Sequence, residues 1–275
     1  MIKQKKICVM FLTTQREIAS GELLRAIEYY STYCESEYSF DLKIFLDSRD
    51  TIDNKQVEEI EKRVKVLPHV DNFEIVNNKI PERLNIVLPS TNDTFDLNKF
   101  YLGRTHGINQ HFHESMNHMF SCDYENFLLL EADTKPVDKR WLNVIIDKCE
   151  ASTFTILGST YKGVAREDEM KKYYGPHLNG VAIYKNSKTC KDIINLSIEY
   201  IKTELKHDTD KKYQSIINYD VALYLYCKDE DLLKHLTDTE IITNVSSYRE
   251  DWMNANVFIK QYPDTVIIHK KNLYK

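Results

Sequence analysis

Two carboxylates lie one residue apart near the middle of the chain. Glu131 and Asp133 follow the apolar run 127–130 directly, and Ala132 stands between them. Side chains of a strand alternate between its faces, so both carboxylates point to the same side. They repel each other unless a cation lies beside them, and carboxylate oxygens are ligands that suit Mg²⁺ or Mn²⁺. The pattern indicates a divalent metal site, and it is also typical of an acidic turn that follows a strand.

A further carboxylate, Asp220, lies within the largely apolar segment 217–224. Burial of an unpaired acid is costly, so such an acid must face a cleft or satisfy its charge locally. One interpretation places Asp220 in a cleft, where it could act as a general base. The other places it at the start of a helix, where it interacts with the helix dipole.

The elements that must position these residues follow from the hydrophobic pattern. Apolar or alternating runs predict strands over 7–14, 39–46, 70–77, 125–132, 153–158, 179–185, 239–245 and 264–269. Helical spacing predicts helices over 17–33, 53–64, 106–121, 141–149, 188–206 and 212–235. Strands alternate with helices in the first 160 residues, which indicates an α/β fold with a mostly parallel central sheet flanked by helices. Ligands of such sheets bind beyond the carboxyl ends of the strands.

Composition excludes several classes of protein. The 37 basic and 42 acidic residues give a formal net charge of −5, which argues against a general nucleic-acid binder. The apolar run 7–12 is too short for a signal peptide or a membrane span, so we expect no transmembrane segment. The six cysteines form no C-x-x-C pair and predict reduced thiols in a cytoplasmic protein. No linker divides the chain, so we expect a single domain.

The segment Glu131-Ala132-Asp133 resembles the D-x-D motif of GT-A glycosyltransferases, with Glu in the first position. Three other segments are similar to segments of that family and occur in the same order. They are the polar loop Thr13-Thr14-Gln15-Arg16 after the first strand, the phrase Asn-Gly-Val-Ala-Ile-Tyr at 179–184 and the strand end Ile267-Ile268-His269-Lys270-Lys271. The order of strands and helices is similar over most of the chain, whereas individual residues are similar only in these short segments.

The resemblance implies a GT-A type domain over 1–275, with a nucleotide-binding half at 1–135 and an acceptor-side half at 136–275. It implies an enzyme that moves a sugar from a nucleotide-diphosphate donor, a UDP-sugar being favoured, to a hydroxyl of a glycan or another acceptor. We expect inversion at the sugar and a requirement for Mn²⁺ or Mg²⁺.

The resemblance also assigns roles to individual residues. The metal site would be formed by Glu131, Asp133 and His269, with Glu131 contacting the metal through water, or contacting the ribose. Asp220 would be the catalytic base. Contacts to the donor are expected from Thr13, Thr14, Gln15, Arg16, Asp47, Arg104, Glu131, Lys270 and Lys271, of which the lysines would neutralise the diphosphate. Contacts on the acceptor side are expected from His177, Asn179, Gly180 and Trp252.

Two other functions fit part of the pattern. The run from Leu128 to Thr134 also resembles the D-x-D-x-T strand end of haloacid-dehalogenase-type phosphatases. In that family the first acid is an aspartate nucleophile near the N-terminus, whereas this chain has Glu131 in mid-chain. A non-catalytic sugar-nucleotide-binding protein would carry the same metal ligands without transferring any sugar.

Overall fold

The computed structural model describes residues 7–47, 53–81, 105–162, 177–207, 218–245 and 259–269. Its strands are β1 (Ile7–Thr13), β2 (Phe40–Leu46), β3 (Val70–Asn77), β4 (Asn126–Leu130), β5 (Thr134–Pro136), β6 (Ile156–Lys162), β7 (Leu178–Lys185), β8 (Leu236–Asp238), β9 (Ile242–Val245) and β10 (Ile267–His269). Its main helices are α1 (Gln15–Ala19), α2 (Glu22–Thr32), α3 (Asn54–Val64), α4 (His106–Phe120), α5 (Trp141–Ala151), α6 (Lys188–His207) and α7 (Tyr219–Asp229).

These strands form one sheet in the order β3-β2-β1-β4-β7-β6-β9-β10-β5, with β8 pairing beside β6. The pairings β3-β2, β2-β1 and β1-β4 are parallel, as are those of β6 with β8 and β9 and of β9 with β10. The strand β7 runs antiparallel to both of its neighbours, and β5 runs antiparallel to β10. The predicted α/β class with a mostly parallel sheet and flanking helices is confirmed.

Helices cover both faces of the sheet because the buried strands are apolar on both sides. In β1, Val9 and Phe11 pack into the core that includes α2 and α5, whereas Cys8 and Met10 pack into the core that includes α4, α6 and α7. A strand buried on both faces reads as a continuous apolar run rather than an alternating one. The sheet is therefore the middle layer of three.

The structure differs from the sequence prediction at three places near the site. The helix predicted over 17–33 is divided, because Gly21 has a φ of 70° and separates α1 from α2. The described part of the predicted helix 212–235 is helical over α7 and again briefly at Leu233–His235. The strand β5 was missed because three residues are too few for a periodic signal.

Within the described ranges, every helix is too short or too polar to cross a membrane.

Candidate metal centre and its cleft

Sheet register brings the acidic motif and the C-terminal histidine together. The motif leaves β4, turns, and enters β5, whose first residue, Thr134, lies directly opposite His269 of β10. The turn is closed because the Thr134 backbone N–H and hydroxyl both donate to the carbonyl of Glu131, at 3.0 and 2.7 Å. Two segments far apart in sequence thus meet at one point of the sheet.

The side chains of Glu131, Asp133 and His269 converge at that point. The Nε2 atom of His269 lies 3.3 Å from Oε2 of Glu131 and 3.1 Å from Oδ1 of Asp133. One ligand atom from each residue lies within 4.8 Å of the other two. The carboxylate side chains are 33% and 30% exposed, so one side of the cluster is open to a ligand, whereas the histidine is 12% exposed.

Electrostatics at this cluster favour a positive charge. Burial by itself lowers the pKa of His269, but the carboxylates of Glu131 and Asp133 outweigh burial and raise this pKa to about 10. Two carboxylate oxygens and one imidazole nitrogen are a donor set that suits Mn²⁺ and, with more water, Mg²⁺. The three residues that the sequence predicted as metal ligands therefore fit a divalent ion in both position and chemistry.

The loop after β1 lies beside this cluster. Thr14 caps α1, and its backbone N–H and hydroxyl donate to Oε2 of Glu17 at 2.8 and 2.9 Å. The hydroxyl of Thr13 donates to the same oxygen at 3.3 Å. Burial raises the pKa of Glu17, and the charges of Glu131 and Asp133 raise it further. Glu17 was not among the predicted site residues, although its place three residues after Thr14 is the spacing of a capping box.

The other two residues of that predicted nucleotide loop, Gln15 and Arg16, are exposed on the first turn of α1.

Asp47 follows β2 and is buried against α4. There it faces His111, whose Nδ1 lies 2.8 Å from Nδ2 of Asn78. Burial lowers the pKa of His111 to about 4, against smaller opposing effects from Asp47 and from the carbonyls of Phe45 and Thr13. The neutral imidazole of His111 therefore lies beneath the carboxyl ends of the first three strands, beside Asp47 and Asn78.

Asp220 lies in the first turn of α7, as the dipole interpretation expected, and is also paired with His177. Its Oδ2 is 3.8 Å from Nε2 of His177, and the two side chains are 12% and 3% exposed. Burial raises the pKa of Asp220, His177 and the Val221 backbone N–H lower it, and the charge of Glu131 raises it again. The influence of Glu131 places Asp220 within electrostatic range of the candidate metal centre.

The residues of the Asn-Gly segment at 179–184 are buried. Oδ1 of Asn179 accepts a hydrogen bond from the Val181 backbone N–H at 2.9 Å. A Cβ at Gly180 would stand 2.6 Å from two ring carbons of Tyr219 and still nearer its hydroxyl. The close neighbour that requires glycine here is a side chain of the protein, which stacks in turn on Phe112 with ring centroids 3.8 Å apart.

Four of the predicted site residues fall outside the described residues: Arg104, Trp252, Lys270 and Lys271.

Comparison with solved structures identifies the fold. The model matches mouse xyloside xylosyltransferase 1 with a TM-score of 0.54 and 10% identity, over 97% of this chain and 98% of that one. It matches an active-site variant of LgtC with a TM-score of 0.57 and 11% identity, over 98% and 89% of the two chains. LgtC is also known in complex with donor and acceptor sugar analogues, as a galactosyltransferase.

A third match is the bifunctional glycosyltransferase WbbM, with a TM-score of 0.55 and 10% identity; all of this chain is covered, and 47% of WbbM. No protein-family model matches the sequence, and no curated protein matches it. Identities this low show the fold alone, and that fold is the GT-A type predicted from the acidic motif and the order of elements.

Proposed function

We propose that this protein is a metal-dependent glycosyltransferase that moves a sugar from a nucleotide-diphosphate donor to a hydroxyl acceptor. One observation carries the proposal: within a glycosyltransferase fold, Glu131, Asp133 and His269 meet at one open point of the sheet edge. The fold by itself hosts no fixed chemistry, so the argument depends on this site.

The role of the metal follows from the reaction. Bound Mn²⁺ or Mg²⁺ would offset the negative charge that grows on the leaving diphosphate. Asp133 and His269 would hold the ion, and Glu131 would hold it directly or through water, or contact the ribose. Lys270 and Lys271 follow His269 in sequence and would supply further positive charge to the phosphates.

The donor nucleotide would lie along the carboxyl ends of β1, β2 and β4. The predicted loop after β1 is a tight junction in the structure: Thr13 ends β1, Thr14 caps α1, and Gln15 and Arg16 begin α1. The hydroxyls of Thr13 and Thr14 donate to the carboxylate of Glu17, whose pKa is raised by the charges of Glu131 and Asp133. Asp47 and Arg104 complete the proposed donor contacts. We favour a UDP-sugar.

The acceptor would enter beside Asp220. Its raised pKa suits a general base, because a carboxylate that holds a proton more firmly than usual takes one more readily from a hydroxyl. In the proposed step the proton of the acceptor hydroxyl passes to a carboxylate oxygen of Asp220 as the hydroxyl oxygen bonds to the sugar carbon. The bond from that carbon to the diphosphate breaks, and the nucleoside diphosphate leaves with inversion at the sugar. His177, beside Asp220, and Asn179, Gly180 and Trp252 are the proposed acceptor-side residues.

We further propose a single domain over 1–275, with halves at 1–135 and 136–275, in a cytoplasmic setting. The ten-stranded sheet runs through both halves, and the candidate metal centre takes ligands from each. All six cysteine thiols are free, which accords with a reducing compartment.

The test combines binding with transfer. Thermal shift with UDP-, GDP- and CDP-sugars, with and without Mn²⁺, should give stabilisation by a donor only when metal is present. Release of the nucleoside diphosphate in the presence of hydroxyl acceptors should then follow. Donor binding without any turnover would instead favour the non-catalytic sugar-nucleotide-binding protein, and phosphate release from phosphomonoesters would favour the phosphatase.

A further inference from the structure

The side chain of Asn244, in β9, lies between two other strands. Its Nδ2 donates to the carbonyl of Ser159 in β6 at 2.7 Å. Its Oδ1 lies 2.8 Å from Nδ1 of His269 in β10. The residue is completely buried, so these partners rather than water satisfy the amide.

These contacts determine which way the amide faces. A carbonyl oxygen only accepts, so the Asn244 atom beside Ser159 must be the NH₂ group, and the oxygen must face the imidazole. The flipped amide would set two acceptor oxygens against each other at hydrogen-bond distance. The imidazole therefore donates its Nδ1–H to Oδ1 of Asn244.

A neutral imidazole carries one N–H and one lone pair. A divalent ion binds the neutral form, and with the N–H on Nδ1 the lone pair of His269 is then on Nε2, the atom that faces Glu131 and Asp133 at 3.3 and 3.1 Å. We propose that Asn244 is a positioning residue that holds His269 in the tautomer and ring orientation needed to bind a divalent ion through Nε2. This inference rests on the proposed metal site.

The register of the sheet explains why Asn244 can do this without strain. His269 and Asn244 are direct partners in the parallel pairing of β10 with β9, so their side chains emerge on the same face. On the other side of β10, His269 pairs with Thr134, the first residue of β5. The residue before Thr134 is the acidic ligand Asp133. His269 therefore lies between β9, in which Asn244 orients its ring, and β5, which directly follows the metal ligand Asp133.

The test measures metal affinity rather than turnover. Titration of the full-length protein with Mn²⁺, followed by the loss of the free-ion signal in electron paramagnetic resonance, gives the dissociation constant. Asn244→Leu keeps a similar volume but removes the acceptor, and should weaken Mn²⁺ binding about ten- to a hundred-fold. Asn244→Asp retains an acceptor for the Nδ1–H and should recover most of that loss.

Two controls make the result decisive. Thr243→Val removes a buried hydroxyl from the same strand, where Thr243 bonds Thr265 at 2.8 Å, and should leave Mn²⁺ affinity unchanged. Melting temperatures without metal report any general loss of structure. Equal Mn²⁺ affinity in Asn244→Leu and wild type, with His269→Ala weakened, would overturn the role of Asn244 and leave the metal site standing. Wild-type protein that binds no Mn²⁺ would overturn both.

Discussion

Thr134 and His269 are direct partners across the antiparallel pair formed by β5 and β10. This pairing fixes the turn that carries Glu131 and Asp133 against β10, the strand that carries His269. Asp133 immediately precedes the paired residue, and the turn behind it is closed on the carbonyl of Glu131. Sites built on strands hold their ligands more precisely than sites built on loops.

Removal of one metal ligand should abolish metal-dependent donor binding. Asp133→Ala deletes a carboxylate 3.1 Å from Nε2 of His269. We expect the Mn²⁺-dependent thermal shift with the donor to disappear, because the remaining ligands bind the ion too weakly. Asp192→Ala is the matched control, since Asp192 is an exposed acid of α6 paired with Lys188. Donor binding that is independent of metal and unchanged in Asp133→Ala would contradict the metal assignment.

Asp220 should be needed for transfer and not for donor binding. Asp220→Asn keeps the volume of the side chain but cannot accept a proton as a base. We expect turnover to fall about a hundred- to ten-thousand-fold, with the donor-dependent thermal shift retained. Asp229→Asn, at the other end of α7, is the control; Asp229 accepts a hydrogen bond from Tyr200.

The pH profile gives an independent check on Asp220. Burial raises its pKa, and a base must be ionised to accept a proton. Turnover should therefore fall as the pH falls through a value above the usual range of an aspartate, and the wild-type profile should show that acidic limb. A normal rate in Asp220→Asn would remove the base assignment and leave the metal site unaffected.

Much of the fold could be predicted from the sequence because its signals are local. The buried strands β1, β2 and β4 are continuous apolar runs, and α4 carries Phe112, Met116 and Met119 at helical spacing. Those patterns determine which element forms and where each strand ends. The acidic pair was visible because it stands at one of those strand ends.

The contacts of the site that could not be predicted from the sequence join residues that are distant along the chain. Asn244 is the third residue of a four-residue strand, and no residue near it in sequence indicates that it bonds His269. Asp47 and His111 likewise meet only because α4 packs over the end of β2. Gly180 shows another such contact: it stays a predicted acceptor-side residue, and the fold adds that the ring of Tyr219 leaves no room for a Cβ there.

Gly180→Ala should destabilise the fold. The added methyl group would stand 2.6 Å from ring carbons of Tyr219, and that ring is held by its stack on Phe112. Overpacking of this kind costs about 1–3 kcal/mol in the free energy of unfolding. Urea denaturation should show that loss in the single variant. In a Tyr219→Ala background the same methyl group should cost much less, and equal costs in both backgrounds would rule out the ring as the cause.

The buried imidazole of His111 should make stability depend on pH. Burial lowers its pKa to about 4, whereas an unfolded histidine titrates near 6.5. Between these values the unfolded chain binds more protons, so the free energy of unfolding falls as the pH drops from 6.5 towards 4, by up to about 3 kcal/mol. Urea denaturation at pH 7 and pH 5 should show this slope in the wild type and a smaller one in His111→Gln. Ser115→Ala, which removes a hydroxyl that donates to the His111 carbonyl at 2.8 Å but no titratable group, should keep it. An unchanged slope in His111→Gln would assign the pH dependence to other groups.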